Sequence, residues 1–262
     1  MTTSHVFDGH ALGYDAVAES RLGQTLRGRV HEAVAPLLDR NRRVLDLGGG
    51  TGIDAEWMAP QVQEVVTVEP SAEMAELAAA RLAPFPNASV RAIDVAALAA
   101  ESAGGERFDL IHGNFGVVNC VDPADLATVV TNLLADDGHV VLVPMPTTCP
   151  FEHAVSWLRR RPDLRRRRVD GPTRVPGYEG LRLRYLDQRA LAANLPMVEL
   201  ESVGSLGLVL PPFEFRHALE RRPTLLRVLA GLDRAMAPAG GALGWGDHLL
   251  TVWRRPASGD RR

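Results

Sequence analysis

The chain has 262 residues, 46% hydrophobic and 23% charged, a balance that excludes wholesale disorder, collagen-like sequence and a disulfide scaffold. A formal net charge of −3 gives no global attraction to nucleic acid or to an anionic membrane. All 29 basic residues are arginine, so a lysine Schiff base and a lysine general base are excluded too.

The segment from Met1 to Gly13 carries His5, Asp8 and His10 and no continuous apolar run, so neither a secretory signal nor a transit peptide is expected, and a cytoplasmic protein is. From Val17 to Leu38, the residues Leu22, Leu26, Val30, Val34 and Leu37 share one helical face, which predicts a helical cap over residues 1–40 packed on the sheet edge. Between Arg43 and Met145, β-branched runs alternate with Ala/Leu-rich helical stretches, the pattern of βα units on a parallel sheet. Strands are predicted at Arg43–Leu47, Val62–Glu69, Ser89–Ile93, Phe108–Asn114 and His139–Met145. Helices are predicted at Ile53–Ala59, Ala72–Leu82, Val95–Ala103 and Pro123–Leu134. Asp122-Pro123 reads as a helix start and Asp137-Gly138 as a turn before the fifth strand. The expected architecture is α/β and doubly wound, with a core at residues 41–145 and 186–255.

Residues 146–185 interrupt that rhythm with prolines, with the aromatic residues Phe151, Trp157, Tyr178 and Tyr185, and with seven arginines between Arg159 and Arg168. They read as an insertion or lid over the binding face, the arginines forming either a solvated face or an anion site for a phosphorylated or carrier-bound substrate. Leu186–Leu195 resumes as a helix; Met197–Leu210 and Asp247–Arg254 read as two strands able to pair antiparallel, separated by helix through Leu219–Met236. The polar tail 256–262 is expected to be disordered. Cys120 and Cys149 are too few and too far apart for a metal site or a staple, so both read as buried small apolar residues and no metal is expected. No stretch reaches the roughly 18 uncharged apolar residues of a membrane span.

The most informative segment is Val44-Leu45-Asp46-Leu47-Gly48-Gly49-Gly50-Thr51-Gly52, an apolar strand entering a glycine turn and then a helix. Such a loop lets a ligand lie against bare amides at a helix N-terminus. Gly48, Gly50 and Gly52 are each two apart, unlike the dinucleotide fingerprint, and Asp46 suits a ligand that carries positive charge rather than a pyrophosphate. Glu69 ends the second strand, where a carboxylate accepts both hydroxyls of a ribose. Asp94 directly follows the third strand, placed to accept from an adenine amino group beside Val95.

With these elements the chain resembles the class I S-adenosylmethionine-dependent methyltransferases, from Tyr14 to Arg254. The resemblance rests on Asp46 to Gly52, Glu69, Asp94, the strand Phe108-Asp109-Leu110-Ile111 followed by Asn114-Phe115-Gly116, and the fifth strand within Leu134 to Val143. It implies a Rossmann-like, mostly parallel seven-stranded sheet with a late antiparallel strand. It also implies S-adenosylmethionine as cofactor and S-adenosylhomocysteine as product, with Gly48 and Gly50 along the methionine portion. Glu69, with Pro70 and Met74 beside it, would hold the ribose, Asp94 and Val95 the adenine, and Asn114 and Phe115 would flank the sulfonium. Tyr14-Asp15 and Arg21 resemble the elements that close over the cofactor and meet its carboxylate. One departure is Gly49, where the family carries Cys, Ser or Ala. A second is Asn114-Phe115-Gly116-Val117, standing where adenine and glutamine methyltransferases carry Asn or Asp, Pro-Pro and an aromatic residue.

The implied reaction is in-line transfer of a methyl group to an O, N or C atom of a small-molecule acceptor, without nucleic acid or membrane; the alternative is a protein that binds the cofactor without methylating, as a sensor or a cyclase. A hydroxyl acceptor needs a base, for which His112, at the carboxyl end of the fourth strand, is the first candidate and His153 the next; His217 is a third and His248 reads as structural. Phe151, Trp157, Tyr178 and Phe213 are expected to line the acceptor pocket.

Overall fold

The computed structural model describes residues 11–161, 166, 168–169, 173–175, 178–213 and 216–256; the tail expected to be disordered lies, but for Pro256, outside the described residues. The predicted N-terminal helical stretch is two helices, α1 (Ala11–Ala18) and α2 (Arg21–Val34). The break is chemical: Ser20 takes an extended ψ of 152° and its side chain accepts from the Gly23 amide at 3.0 Å, which caps α2.

The βα rhythm then runs through β1 (Arg43–Leu47), α3 (Ile53–Met58), β2 (Glu64–Val68), α4 (Ala72–Leu82), β3 (Ala88–Arg91), α5 (Val95–Glu101) and β4 (Phe108–Gly113). After it come α6 (Val117–Cys120), α7 (Pro123–Leu133), β5 (Leu134–Leu142), α8 (Pro150–Leu158) and a hairpin of β6 (Thr173–Val175) and β7 (Tyr178–Leu183). The chain closes with α9 (Gln188–Asn194), β8 (Glu199–Leu206), α10 (Arg216–Glu220), α11 (Pro223–Leu243) and β9 (His248–Arg254). Asp137-Gly138 lies within the fifth strand rather than before it. Asp137 has φ +64°, and the pairing jumps from Phe108 with Leu134 to Leu110 with His139, so the turn residues are absorbed as a bulge.

The seven-stranded sheet has the order β3-β2-β1-β4-β5-β9-β8. Strands β1 to β5 are parallel, and β9 runs antiparallel between β5 and β8. The strand order reverses between β1 and β4, and the crevice beyond the carboxyl ends of these two strands is where such sheets bind ligands. Both faces are apolar because both are covered. Val44, Leu110 and Val141 face Leu22, Leu26, Val30 and Val34 of α2, whereas Leu45, Ile111 and Val140 face Val95 and Leu98 of α5 and Leu126, Val129 and Leu133 of α7. The N-terminal helix therefore covers a sheet face and not the edge expected from sequence. Four large buried side chains, each contributing about 1.5–3 kcal/mol, set its position over the central strands.

Candidate active site

The loop after β1 turns with positive φ at Gly48 (+60°) and Gly50 (+57°). At Gly50 a β-carbon would lie 3.3 Å from Cε1 of Tyr14, so the absence of a side chain lets the Tyr14 ring cover the loop backbone. Gly49, the departure from the family pattern, has a local cause. A β-carbon there would lie 2.3 Å from Cγ2 of Thr67 and 2.6 Å from Oδ2 of Asp46.

Glu69 follows β2 and is buried. Its Oε2 accepts from the Gly50 amide and its Oε1 from the Ser71 amide, each at 2.9 Å, so one carboxylate ties the two strand-end loops together. Asp94 follows β3 and accepts from the Ala97 amide at 2.8 Å as the N-cap of α5. Asn114, after β4, donates to Asp54 Oδ2 at 2.9 Å and accepts from the Phe115 amide at 2.9 Å. The Phe115 backbone is left-handed at φ +40°, a strained conformation for a residue with a side chain.

Tyr14, Gly48, Gly50, Glu69, Pro70, Met74, Asp94, Val95, Asn114 and Phe115 line one cavity of about 270 Å3, with Val117, Cys120, Met145 and Leu183 completing the wall. Burial pushes the Cys120 thiol up to about 12, so it meets the cavity as a neutral group rather than lying buried in the core as expected. Asp15, the neighbour of Tyr14, accepts from the Thr51 hydroxyl and from Arg81 at 2.7 Å, which pins α1 across the glycine loop.

Two expected cofactor residues lie elsewhere. Arg21 is exposed and turns to α10, where its amide donates to Glu220 at 2.6 Å. Asp46 is buried beneath the loop with His112, whose Nδ1 lies 2.8 Å from its Oδ1. Burial opposes charge on His112, but the Asp46 carboxylate outweighs it and holds the imidazole above its ordinary value. His112 is buried against Asp46 and does not line this cavity. Arg27, six residues further along α2, turns inward instead. It donates to Asp54, lies beside Tyr14, and sets its guanidinium 5.2 Å over the Phe115 ring. Asp54 also takes His31 Nε2 at 2.7 Å; burial would raise its carboxyl, yet Arg27 and His31 hold it well below the usual range. The signal for Arg27 was present in the sequence as a cation beside Leu22, Leu26 and Val30 on the buried face of the helix.

A second cavity, of about 550 Å3, is lined by Val17, Ala18, Arg27, Phe213 and His248 among others, and shares Tyr14, Phe115 and Met145 with the first. Phe115 stands edge-on to both partners across it, 5.8 Å from Phe213 and 5.5 Å from His248. Of the four residues expected to line the acceptor pocket, Phe213 is here. Trp157 is 83% exposed on α8, Phe151 lines neither cavity, and the Tyr178 side chain lies outside the described residues. His153 on α8 and exposed His217 on α10 line neither cavity, whereas His248, read from sequence as structural, does.

The arginine block is part of the interior at one point. Arg168 is buried, forks onto Glu152 at 2.7 and 3.1 Å and donates to Asp247 at 2.7 Å. Cys149, Glu152 and Asp247 bring potential ligand atoms within 4.8 Å of one another, but the guanidinium stands between the carboxylates and makes the cluster an ion-pair array rather than a metal site.

A family model described as a methyltransferase domain matches residues 18–197. No curated protein is significantly similar in sequence. Among solved structures, the chain is similar to the N-methyltransferase NodS of Bradyrhizobium japonicum WM9 in complex with S-adenosyl-L-homocysteine, at 15% identity and a TM-score of 0.58 over 98% of this chain and 100% of that one. It is also similar to an S-adenosylmethionine-dependent methyltransferase of Mesorhizobium loti, at 18% identity and a TM-score of 0.55 over 88% and 100%. A third is the geranyl diphosphate C-methyltransferase of Streptomyces coelicolor A3(2), at 13% identity and a TM-score of 0.54 over 87% and 78%.

Proposed function

The chain belongs to the methyltransferase domain family, as a class I enzyme that uses S-adenosylmethionine, and from that premise we propose that it methylates a small, largely apolar acceptor seated in the second cavity. The observation that carries this reading is adjacency: Tyr14, Phe115 and Met145 line both cavities, so the two cavities adjoin at these three side chains.

The residues of the first cavity fit the cofactor. Glu69 offers a carboxylate already oriented by two amides, Met74 and Val95 offer apolar walls for a base, and Gly48 and Gly50 leave backbone bare where side chains would intrude. The cofactor supplies an electrophilic sulfonium methyl. The chain then has to align the acceptor and exclude water, which requires shape more than side-chain chemistry. Tyr14 closes the glycine-loop end, and Val17, Phe115 and Phe213 give the acceptor a mainly apolar, aromatic surround. Leu183, near the end of residues 146–185, lines the first cavity beside Met145, the residue just before that segment, which supports reading the segment as a lid.

A small molecule suits this volume, and nucleic acid is disfavoured by the net charge of −3 and by the engagement of Arg168 inside the fold. No helix among the described residues is long and apolar enough to cross a membrane. A cytoplasmic setting is part of the proposal.

Isothermal titration with S-adenosylmethionine, S-adenosylhomocysteine and NAD, side by side, tests the reading. Binding of the first two without the third is expected; binding of NAD alone, or of none, overturns it.

A further inference from the structure

His248 sits at the start of β9 and is 5% exposed. Its Nδ1 lies 3.1 Å from Oδ2 of Asp247, an ion-pair contact without hydrogen-bond alignment, and the ring lines the second cavity. Asp247 is itself fixed: its Oδ1 accepts from Arg168 Nη2 at 2.7 Å, and Arg168 Nη1 donates to the Asp247 carbonyl at 3.0 Å. Glu152 accepts the other side of the same guanidinium. The burial of Asp247 opposes its charge, but His248 and Arg168 outweigh this and keep the carboxyl well below its usual range.

Four buried ionisable groups in a row are a poor way to stabilise a fold, since well-packed apolar residues of similar size do as well or better. They do set a fixed negative charge beside the imidazole. Asp247 lies on the Nδ1 side of the ring, where it stabilises an imidazolium formed when Nε2 takes a proton. The cavity that His248 faces is otherwise mainly apolar and aromatic.

We propose that His248 is the general base of an O-methylation, and that the second cavity takes a small aromatic or enolic hydroxyl acceptor. This rests on the reading of that cavity as the acceptor site. The acceptor O–H proton passes to His248 Nε2. The oxygen keeps the pair of that bond and uses a lone pair to form the new bond to carbon, and the sulfur retains the pair of the bond that breaks. The imidazolium faces Asp247 and later yields its proton to water. A neutral amine would attack through its own lone pair without prior loss of a proton, so a base beside a carboxylate favours oxygen. The charged and titratable groups packed around His248 are Asp247 beside it, Arg168 behind Asp247, and Arg27 and Tyr14 across the cavity from α2 and α1. Arg27 adds positive charge on the side where the acceptor oxygen becomes negative.

The test uses 4-nitrophenol as probe, whose phenolate is yellow and whose phenol is not, with the intact protein and S-adenosylhomocysteine. At a pH below the midpoint of the free probe, wild-type protein is expected to raise the phenolate signal several-fold, whereas His248→Gln leaves the bound probe as phenol. The variant-independent readout is proton NMR of the wild type: the His248 Cε1 proton is expected to move to the imidazolium position when the probe binds. With a turnover acceptor, His248→Gln is expected to lower kcat by about 100-fold or more while leaving the KM for S-adenosylmethionine within about two-fold. The proposal is overturned if S-adenosylhomocysteine binds but 4-nitrophenol either fails to bind or binds without ionising, or if His248→Gln ionises it as well as wild type. Failure of S-adenosylhomocysteine to bind would instead remove the underlying methyltransferase reading.

Discussion

Gly49 and Thr67 compete for one space: a β-carbon at residue 49 would lie 2.3 Å from Thr67 Cγ2. Gly49→Ala, which restores the residue type common in the family, is therefore expected to destabilise this chain by about 1–3 kcal/mol through overpacking. Thr67→Ser removes the methyl group and recovers part of that loss in the double variant. Denaturant unfolding of the four proteins in the cycle measures it, and strictly additive effects would remove the steric account.

The Glu69 carboxylate holds the amides of Gly50 and Ser71, and in the proposed site it also meets the ribose hydroxyls. Glu69→Ala is expected to weaken binding of S-adenosylhomocysteine by about 1–3 kcal/mol. Titration calorimetry reads this directly, and an unchanged affinity would sink the ribose assignment.

Asp54 predicts an acid limb of stability. Its carboxyl is held well below the ordinary value of 3.8, so the stability it contributes is present above that pH and is lost as the pH falls through and below it. Asp54→Asn is expected to be less stable at neutral pH and to lose less stability between about pH 5 and 2 than wild type. Parallel curves for the two proteins would contradict this.

Arg168 stands between Glu152 and Asp247. Arg168→Met leaves two buried carboxylates without their cation, and a cost of about 3–5 kcal/mol is expected in thermal or denaturant unfolding. A variant as stable as wild type would show that solvent or another group can neutralise the pair.

His112 separates structural from catalytic histidine. With Nδ1 2.8 Å from Asp46 and no place in either cavity, its replacement by Gln is expected to appear as a loss of about 1–3 kcal/mol in stability. The folded variant should still ionise 4-nitrophenol as wild type does. If that signal disappears with His112→Gln and survives His248→Gln, the two histidines have been assigned the wrong way round.

Local pattern in the sequence determined the alternating βα core, the strand-end positions of the glycine loop, Glu69 and Asp94, and the doubly wound class. These features depend on periodicity and turn chemistry within a few residues, and each strand end of a parallel sheet opens onto the same edge, so Gly48, Glu69, Asp94 and Asn114 converge once the sheet forms. Their convergence needed no knowledge of long-range packing.

Tertiary structure alone decided which cation and which histidine face the crevice. Arg21 and Arg27 are nearly indistinguishable by composition, yet the helix break at Ser20 and the burial of Leu22 and Leu26 turn one outward to Glu220 and the other inward to Asp54. His112 sits at the expected strand end but is buried against Asp46. His248 comes from the last strand, which the sheet inserts antiparallel beside β5, and so reaches Phe115 from a part of the chain more than a hundred residues away in sequence. A side chain's face on a strand is set by pleat and register, and its partner across a cavity by the packing of separate elements. A linear pattern encodes the first only in part and the second hardly at all.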